Sequence, residues 1–435
     1  MKIAVVGTGY VGLVAGTGFA ENGHQVTCVD IDAGRIAALQ RGEAPIYEPG
    51  LEELLMRNME EDRLRFTTSV AEAVENSLLV FLCVGTPSGA NAAPDLRQVF
   101  AAAEAVGSAL SGYRIIVSKS TCPVGTADKL KEIIAARTSH PFDVVVNPEF
   151  MKEGAAIDDF MRPDRVVVGC QDVRVLEIMR ELYAPFLRTG KPFLSMSLRS
   201  AELAKYAVNT MLAARISLVN ELANIAEVYG ADINEIRQAL MSDSRLGSAY
   251  LFPGLGFGGS CLPKDVAALA ELAREKDLPR GIIEAATSTN EAQSRRFVER
   301  IKSFYEGGAS GKRIAVWGAT FKPRTDDLRS APALEIIDAL LAASAAVVVF
   351  DPVASKGLRD RYGDKVTVAA KMYDGLQDAD GLVIATEWRE FHNPDFERMA
   401  KIMRCPVIFD GRNLYEPKTM KAHGFTYFSV GRPRA

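Results

Sequence analysis

Residues 250–265, YLFPGLGFGGSCLPKD, bring together residue types that could carry chemistry. The glycines Gly254, Gly256, Gly258 and Gly259 let a backbone approach a ligand closely and take positive φ, which residues with a Cβ rarely do. Cys261, Pro263, Lys264 and Asp265 follow, and then the apolar-periodic run VAALAELA, which predicts a helix. Proline suits the first helical turn, so Cys261 is expected at or just before the N-terminus. A thiol there feels the positive end of the helix dipole, and Lys264 adds charge of the same sign. Both favour thiolate. Asp265 lies four residues beyond Cys261 and shares its face if the helix starts early enough. The pattern is a nucleophile with a carboxylate base beside it; the bland alternative is a glycine-rich loop around a buried structural cysteine.

The elements that must position such a site begin at residue 2. The β-branched run 2–6 leads into Gly7-Thr8-Gly9-Tyr10-Val11-Gly12 and a small-residue helical pattern, and a second strand, QVTCVD, ends at Asp30. Strand, tight turn, helix and acid in that order suit a dinucleotide. Glycines admit the pyrophosphate, the helix N-terminus attracts its charge, and the acid bonds the ribose hydroxyls. A carboxylate at position 30 would repel a 2′-phosphate, so NAD is expected over NADP. Strands at 77–84 and 114–118 run into the loops VGTPSG and KSTCPVGT, and DVVV runs into NPEFMKEG. Such loops at carboxyl ends of strands form the ligand crevice of open α/β sheets, which makes Thr86, Thr121, Glu149 and Glu153 candidate contacts.

Residues 198–229 carry the pattern of one long helix, stopped by Gly230. About thirty residues at roughly 1.5 Å each give a rod of around 45 Å, long enough to join domains or build a dimer interface. Lys205 and Asn209 sit one turn apart on it. After a linker predicted at Gly307, Gly308 and Gly311 the chain repeats itself: RIAVWG echoes KIAVVG, AVVVFD echoes QVTCVD, and GLVIATEW echoes SLLVFLCVGT. A second Rossmann-like domain follows from the repeat. Its turn, Gly318-Ala319-Thr320-Phe321-Lys322, lacks the three-glycine fingerprint, so a nucleotide-bearing substrate is a better occupant than a second dinucleotide. The expected fold is α/β: an NAD-binding Rossmann domain over 1–197, a helical middle domain with the cysteine loop over 198–306, and a Rossmann-like domain over 307–435.

With 435 residues, 48% hydrophobic and 24% charged, and a net charge of -4, the composition is that of a multidomain globular protein with no basic surplus for nucleic acid or an anionic membrane. The six cysteines have neither CxxC nor metal-finger spacing, so no metal is expected and a reducing, cytoplasmic setting is. The N-terminal apolar run could pass for a signal peptide, but the dinucleotide turn accounts for its glycines. The most apolar later segment, 331–350, contains Glu335 and Asp338 and reads as helix then strand, which leaves no membrane span.

GTGYVGL, VGTP, KST with PVGT, NPEF with EG, GFGGSC with PKD, TFKPRTDD with Arg329, and DGRN together resemble the UDP-glucose 6-dehydrogenases, a family among the NAD-dependent nucleotide-sugar dehydrogenases. The resemblance spans nearly the whole chain. It implies a four-electron oxidation of the sugar's primary alcohol to a carboxylate with reduction of two NAD⁺. Residue by residue it implies that Cys261 captures the aldehyde as a thiohemiacetal and then a thioester. Lys205 and Asn209 would stabilise oxyanions, Asp265 would act as base with a water near Thr121, and Glu153 would assist hydrolysis. For NAD it implies Gly7, Gly9, Val11, Gly12, Asp30, Arg35, Thr86, Thr121, Glu153, Lys264 and Arg329. For the UDP-sugar it implies Glu149, Phe150, Met151, Lys152, Glu153, Lys205, Asn209, Tyr250, Leu251, Phe252, Pro253, Gly254, Gly258, Lys322 and Arg412, with Arg245 reaching a neighbouring subunit of a homodimer. GGSCLPKD also resembles the GDP-mannose dehydrogenases, while DSRLG at 243–247 and DGRN at 410–413 favour UDP-glucose. Cys122 stands where the pattern has valine, either as a second reactive thiol or as a valine-sized buried residue.

Three other readings compete. A GDP-mannose or other UDP-hexose dehydrogenase would use the same chemistry. A non-catalytic NAD-sensing protein would not need the catalytic set kept, and a two-electron dehydrogenase would have no use for Cys261.

Overall fold

Short runs of β-branched residues separated by helical segments give a parallel sheet in each half of the chain. The computed structural model describes residues 1–89 and 93–434. Its packing divides the chain into two units, Met1–Val208 and Asn209–Ala435.

In the first unit the strands are β1 (Lys2–Val6), β2 (Gln25–Val29), β3 (Leu64–Thr67), β4 (Leu79–Leu82), β5 (Arg114–Ser118), β6 (Phe142–Val146), β7 (Val166–Gly169) and β8 (Phe193–Met196). They lie in the order β3-β2-β1-β4-β5-β6-β7-β8. The first six give the doubly wound arrangement, with its switch point between β1 and β4, the place where such sheets bind ligands. Neighbours run parallel, with Val6 opposite Val29 on one side and Leu82 on the other. One step differs: β6 and β7 pair antiparallel through Val146 and Gly169. β7 and β8, which the sequence pattern did not announce, extend the sheet beyond β6 after the short helix Ala156–Met161.

Both sheet faces are covered, as a parallel sheet requires. Ile3 and Val5 enter one apolar cluster, while Ala4 and Val6 enter the other. Phe19, fully buried, meets Phe81 and Phe160 with ring centroids 5.0 Å away in each case. Truncating such a ring costs about 3–5 kcal/mol.

The second unit repeats the plan with β9 (Arg313–Trp317), β10 (Ala346–Phe350), β11 (Thr367–Val368), β12 (Gly381–Ile384), β13 (Val407–Asp410) and β14 (Thr426–Phe428), in the order β11-β10-β9-β12-β13-β14, all parallel. β10 ends beside Asp351, which mirrors Asp30. Its Oδ2 accepts from the amides of Ala319 and Thr320 at 2.8 and 3.2 Å. Asp351 is 1% exposed, so its carboxylate serves its own turn, consistent with the missing glycine fingerprint.

The long helix is Leu198–Tyr229, as the periodicity predicted, and Gly230 follows with φ of 70°. The segment predicted as VAALAELA lies in the helix Leu262–Arg274, and the next helix is Gly281–Phe304. No helix among the described residues is long and apolar enough to cross a membrane.

Candidate active site

The glycine turn after β1 is built for close approach. Gly7 has φ of 98°, and a Cβ there would lie 2.7 Å from the Cys83 carbonyl; at Gly12 it would lie 1.9 Å from the Gly7 carbonyl. Gly9, the N-cap of helix Tyr10–Glu21, has open space around its Cβ position and no side-chain cap, which leaves the helix N-terminus free for an anion. Val11 is half-buried in that first turn. Asp30 Oδ2 accepts from the Thr8 amide at 2.8 Å and the Thr8 hydroxyl at 2.9 Å, and Arg35 lies 3.3 Å away. Burial opposes ionisation of Asp30, but these donors, the Asp32 amide and Arg35 outweigh it and hold its carboxyl below the usual range. A charged acid facing an uncapped helix end across a side-chain-free turn fits a dinucleotide with free ribose hydroxyls.

Thr86 follows β4, Thr121 follows β5 and Glu149 to Glu153 follow β6, all half-buried or buried at carboxyl ends of strands apart from the exposed Lys152. The Ser120 hydroxyl donates to Val84 O at 2.7 Å and ties two of these loops together. Lys205, 4% exposed on the long helix, pairs with Glu149 at 2.8 Å, and its Nζ lies 5.3 Å from the Phe150 ring centroid. Glu149 also accepts from the Met151 amide at 2.7 Å. Lys152 pairs with Asp159 at 3.0 Å. Cys122 is 4% exposed and packs in the apolar cluster of that face, the valine-like alternative.

In the second unit Cys261 is the N-cap residue of helix Leu262–Arg274, with Pro263 in the first turn and its thiol exposed. The Asp265 amide donates to Cys261 O at 2.9 Å, so the helix starts early enough to put both side chains on one face. Asp265 is 1% exposed and accepts from Asn209 Nδ2 at 2.6 Å and Lys264 Nζ at 2.5 Å. Lys264 was expected to lend its charge to the thiol; its ammonium instead engages the adjacent carboxylate, while the Ser260 hydroxyl lies 3.6 Å from Cys261 Sγ.

The glycine loop ahead of Cys261 is wired to helices through its backbone. Asn220 accepts from the Gly254 amide at 2.7 Å, Gln293 donates to Gly254 O at 2.9 Å, and Asn290 exchanges bonds with Phe257 at 2.7 and 3.0 Å. Tyr250 sits at φ of 59°, a left-handed conformation that costs a bulky residue about 1–3 kcal/mol. Tyr250, Phe252, Gly254 and Arg412 line an open cavity of about 250 Å³ together with Ile216 and Gly256. Leu251 and Pro253 are buried beneath it. At Gly258 a Cβ would lie 2.1 Å from Ser330 O, so this glycine permits loop packing. Arg412 is aimed by Ala385 O at 2.8 Å and Glu387 at 3.2 Å. Lys322 lies 5.3 Å from the Phe321 ring centroid. Arg245 and Arg329 are exposed and hold local ion pairs with Asp243 and Asp327 at 2.6 and 2.7 Å.

Three models of the UDP-glucose/GDP-mannose dehydrogenase family match in order: the NAD binding domain over residues 1–187, the central domain over 199–292 and the UDP binding domain over 315–417. The chain belongs to the UDP-glucose/GDP-mannose dehydrogenase family. It is 45% identical to a UDP-glucose 6-dehydrogenase of Pseudomonas aeruginosa, over 100% of this chain and 98% of that protein. Among solved structures it resembles a UDP-glucose dehydrogenase of Pyrobaculum islandicum with a TM-score of 0.92 and 37% identity, over 99% of this chain and 97% of the other. A GDP-mannose dehydrogenase of Pseudomonas aeruginosa is 29% identical with a TM-score of 0.54, over 94% of this chain and 97% of that one.

For this family member the structure adds residues that sequence reasoning did not single out. Glu48 accepts from the amides of Gly154 and Ala156 at 2.6 and 2.8 Å and from the Tyr10 hydroxyl, and so clamps the turn just after Glu153. Nothing in PIYEPG announces that partner. Lys119 and Asn147, by contrast, stand inside the quoted KST and NPEF motifs.

Proposed function

We propose that the chain oxidises UDP-glucose to UDP-glucuronate with reduction of two NAD⁺. The observation that carries this reading is the exposed Cys261 at the start of a helix whose Asp265 is buried and fixed by Asn209 and Lys264. A two-electron dehydrogenase needs no such nucleophile.

Gly7, Gly9, Val11, Gly12, Asp30, Arg35, Thr86, Thr121, Glu153, Lys264 and Arg329 are the proposed cofactor contacts. When bound, NAD⁺ supplies the hydride acceptor for the oxidation of alcohol to aldehyde and of thiohemiacetal to thioester. The chain does the rest. Asp265, with a water near Thr121, takes the hydroxyl proton. Cys261 adds to the aldehyde carbon, which splits a difficult oxidation and holds a reactive species. Lys205 and Asn209 stabilise the oxyanions as fixed donors. Water then cleaves the carbon–sulfur bond, giving the carboxylate and regenerating the thiol, with Glu153 assisting. Residues 149–153, Tyr250 to Gly254, Gly258, Lys322 and Arg412 hold the UDP-sugar. In this assignment residues 1–197 bind NAD, 198–306 supply the cysteine loop and a dimer face, and 307–435 bind the nucleotide end of the substrate. The cysteine spacing supports a cytoplasmic setting.

The greater likeness to the Pyrobaculum UDP-glucose enzyme than to the GDP-mannose enzyme favours UDP-glucose. The test is NADH absorbance with excess NAD⁺ and a limiting, known amount of each sugar nucleotide. Two NADH per UDP-glucose and none with GDP-mannose is the expected result. One NADH per sugar would overturn the role of Cys261, and activity with GDP-mannose alone would overturn the substrate.

A further inference from the structure

A second buried lysine lies near Glu149. Lys119, at the carboxyl end of β5, is 4% exposed. Its Nζ donates to Asn147 Oδ1 at 3.1 Å and to the Tyr183 hydroxyl at 3.5 Å, and lies 5.9 and 6.0 Å from the ring centroids of Phe160 and Tyr183. Asn147, 2% exposed at the end of β6, is held by Tyr183 at 2.5 Å and by Val167 O at 2.8 Å. One ammonium therefore bridges two adjacent strand ends, two residues before Thr121 on one and two before Glu149 on the other. We infer that Lys119 is a positioning residue: by bridging the ends of the two strands it ties the Thr121 loop to the Glu149 loop and so holds in place the pair that Glu149 makes with Lys205.

The electrostatics agree. Burial pushes the Lys119 ammonium down to about 8, with Lys205 pushing the same way and Cys83 and Glu149 pulling it up. Cys83 is itself pushed up to about 12 by burial, so at neutral pH it is a neutral thiol and Glu149 is the negative neighbour. For Glu149, burial opposes ionisation, and Lys205, the Met151 amide and Lys119 together bring its carboxyl below the usual range. The charged and titratable groups around Lys119 are thus Cys83 after β4, Glu149 after β6, Tyr183 on helix Val173–Tyr183 and Lys205 on the long helix. Lys205 pairs with Glu149 directly, and Lys119 acts on it from the neighbouring strand end. Removing Lys119 makes Glu149 harder to ionise, and a protonated Glu149 no longer pairs with Lys205.

This inference rests on the reading of Glu149 and Lys205 as working parts of the site. The test is the pH profile of kcat and KM, with UDP-glucose and NAD⁺, for the wild type and Lys119→Met, Lys119→Gln and Lys119→Arg, each checked for folding by circular dichroism and melting. In Lys119→Met and Lys119→Gln the acid-side midpoint of kcat should rise, since Lys119 helps hold the Glu149 carboxyl below its usual range. kcat at neutral pH should fall about tenfold more than KM rises. Lys119→Arg, which keeps the charge, should track the wild type on the acid side. Lys119→Gln keeps a donor without charge and carries the test if Lys119→Met fails to fold. An unmoved acid midpoint in the neutral variants would overturn the inference, as would Lys119→Arg sharing their shift. A wild type inert with UDP-glucose would instead overturn the functional reading.

Discussion

Asp265 shows what a single side chain must satisfy here. It is 1% exposed, with one oxygen on Asn209 Nδ2 at 2.6 Å and the other on Lys264 Nζ at 2.5 Å. Asp265→Asn keeps the shape but sets an amide donor against one of two donors, and it removes the base. We expect kcat to fall about 10²–10⁴-fold, the range for losing a general base. NAD⁺ affinity, read by fluorescence titration, should change less than threefold on the scale set by the glycine turn. Retention of more than a tenth of wild-type kcat would remove Asp265 from the proton path. At this scale the sequence was informative where chemistry is local: Pro263 placed Cys261 at the helix start, and four-residue spacing put Asp265 on its face. It was silent where the partner comes from elsewhere in the chain: Lys119 found Asn147 and Glu48 clamped Gly154, because those pairings depend on strand register and loop path.

Elements separate glycines that shape the fold from those that admit a ligand. At Gly12 a Cβ meets backbone at 1.9 Å, whereas at Gly9 it meets nothing within 4 Å, and Gly9 has a φ of −69° that alanine accepts. Gly9→Ala should therefore melt within about 2 °C of the wild type, since a surface change away from such clashes is worth under about 0.5 kcal/mol. Its KM for NAD⁺ should rise at least about tenfold, because the methyl occupies the path to the helix N-terminus. Normal NAD⁺ saturation in a stable Gly9→Ala protein would deny that this turn is the pyrophosphate site. The strand–turn–helix order and the long helix were legible, since period and breakers act within one segment: Gly230 ends Leu198–Tyr229 at the predicted residue. β7, β8 and the antiparallel step were not, because strand direction and pairing are set by how the segments pack onto the sheet edge, which no pattern within one segment records. The predicted strand 77–84 is trimmed to Leu79–Leu82, as its ends belong to loops.

For the whole molecule, the long helix leaves an apolar face without a cover in one chain. Met211, Leu218 and Ile225 are spaced by seven residues and are 64%, 57% and 50% exposed, and Val228 and Tyr229 continue the exposure at 75% and 84%. Seven-residue spacing keeps side chains on one stripe of a helix, the pattern of a helix–helix seam. Single exposed apolar residues are ordinary, but a stripe of them marks an association surface. A second copy of this chain is the proposed occupant, since an isologous contact needs only one such stripe. Sedimentation or light scattering should give twice the 47.2 kDa chain mass for the wild type. Leu218→Lys, which places like charges opposite each other at the centre of the seam, should run at the chain mass. Arg245, 86% exposed with Asp243 alongside, then gains a purpose beyond its local ion pair. If the partner's Arg245 completes a site, Arg245→Ala and Cys261→Ser proteins, each weak alone, should regain activity when refolded together. Mixed dimers then contain one site with an intact cysteine and an intact arginine. No recovery in a demonstrated mixed dimer would confine Arg245 to its own chain, and a wild type that sediments at 47.2 kDa at assay concentration would remove the dimer itself.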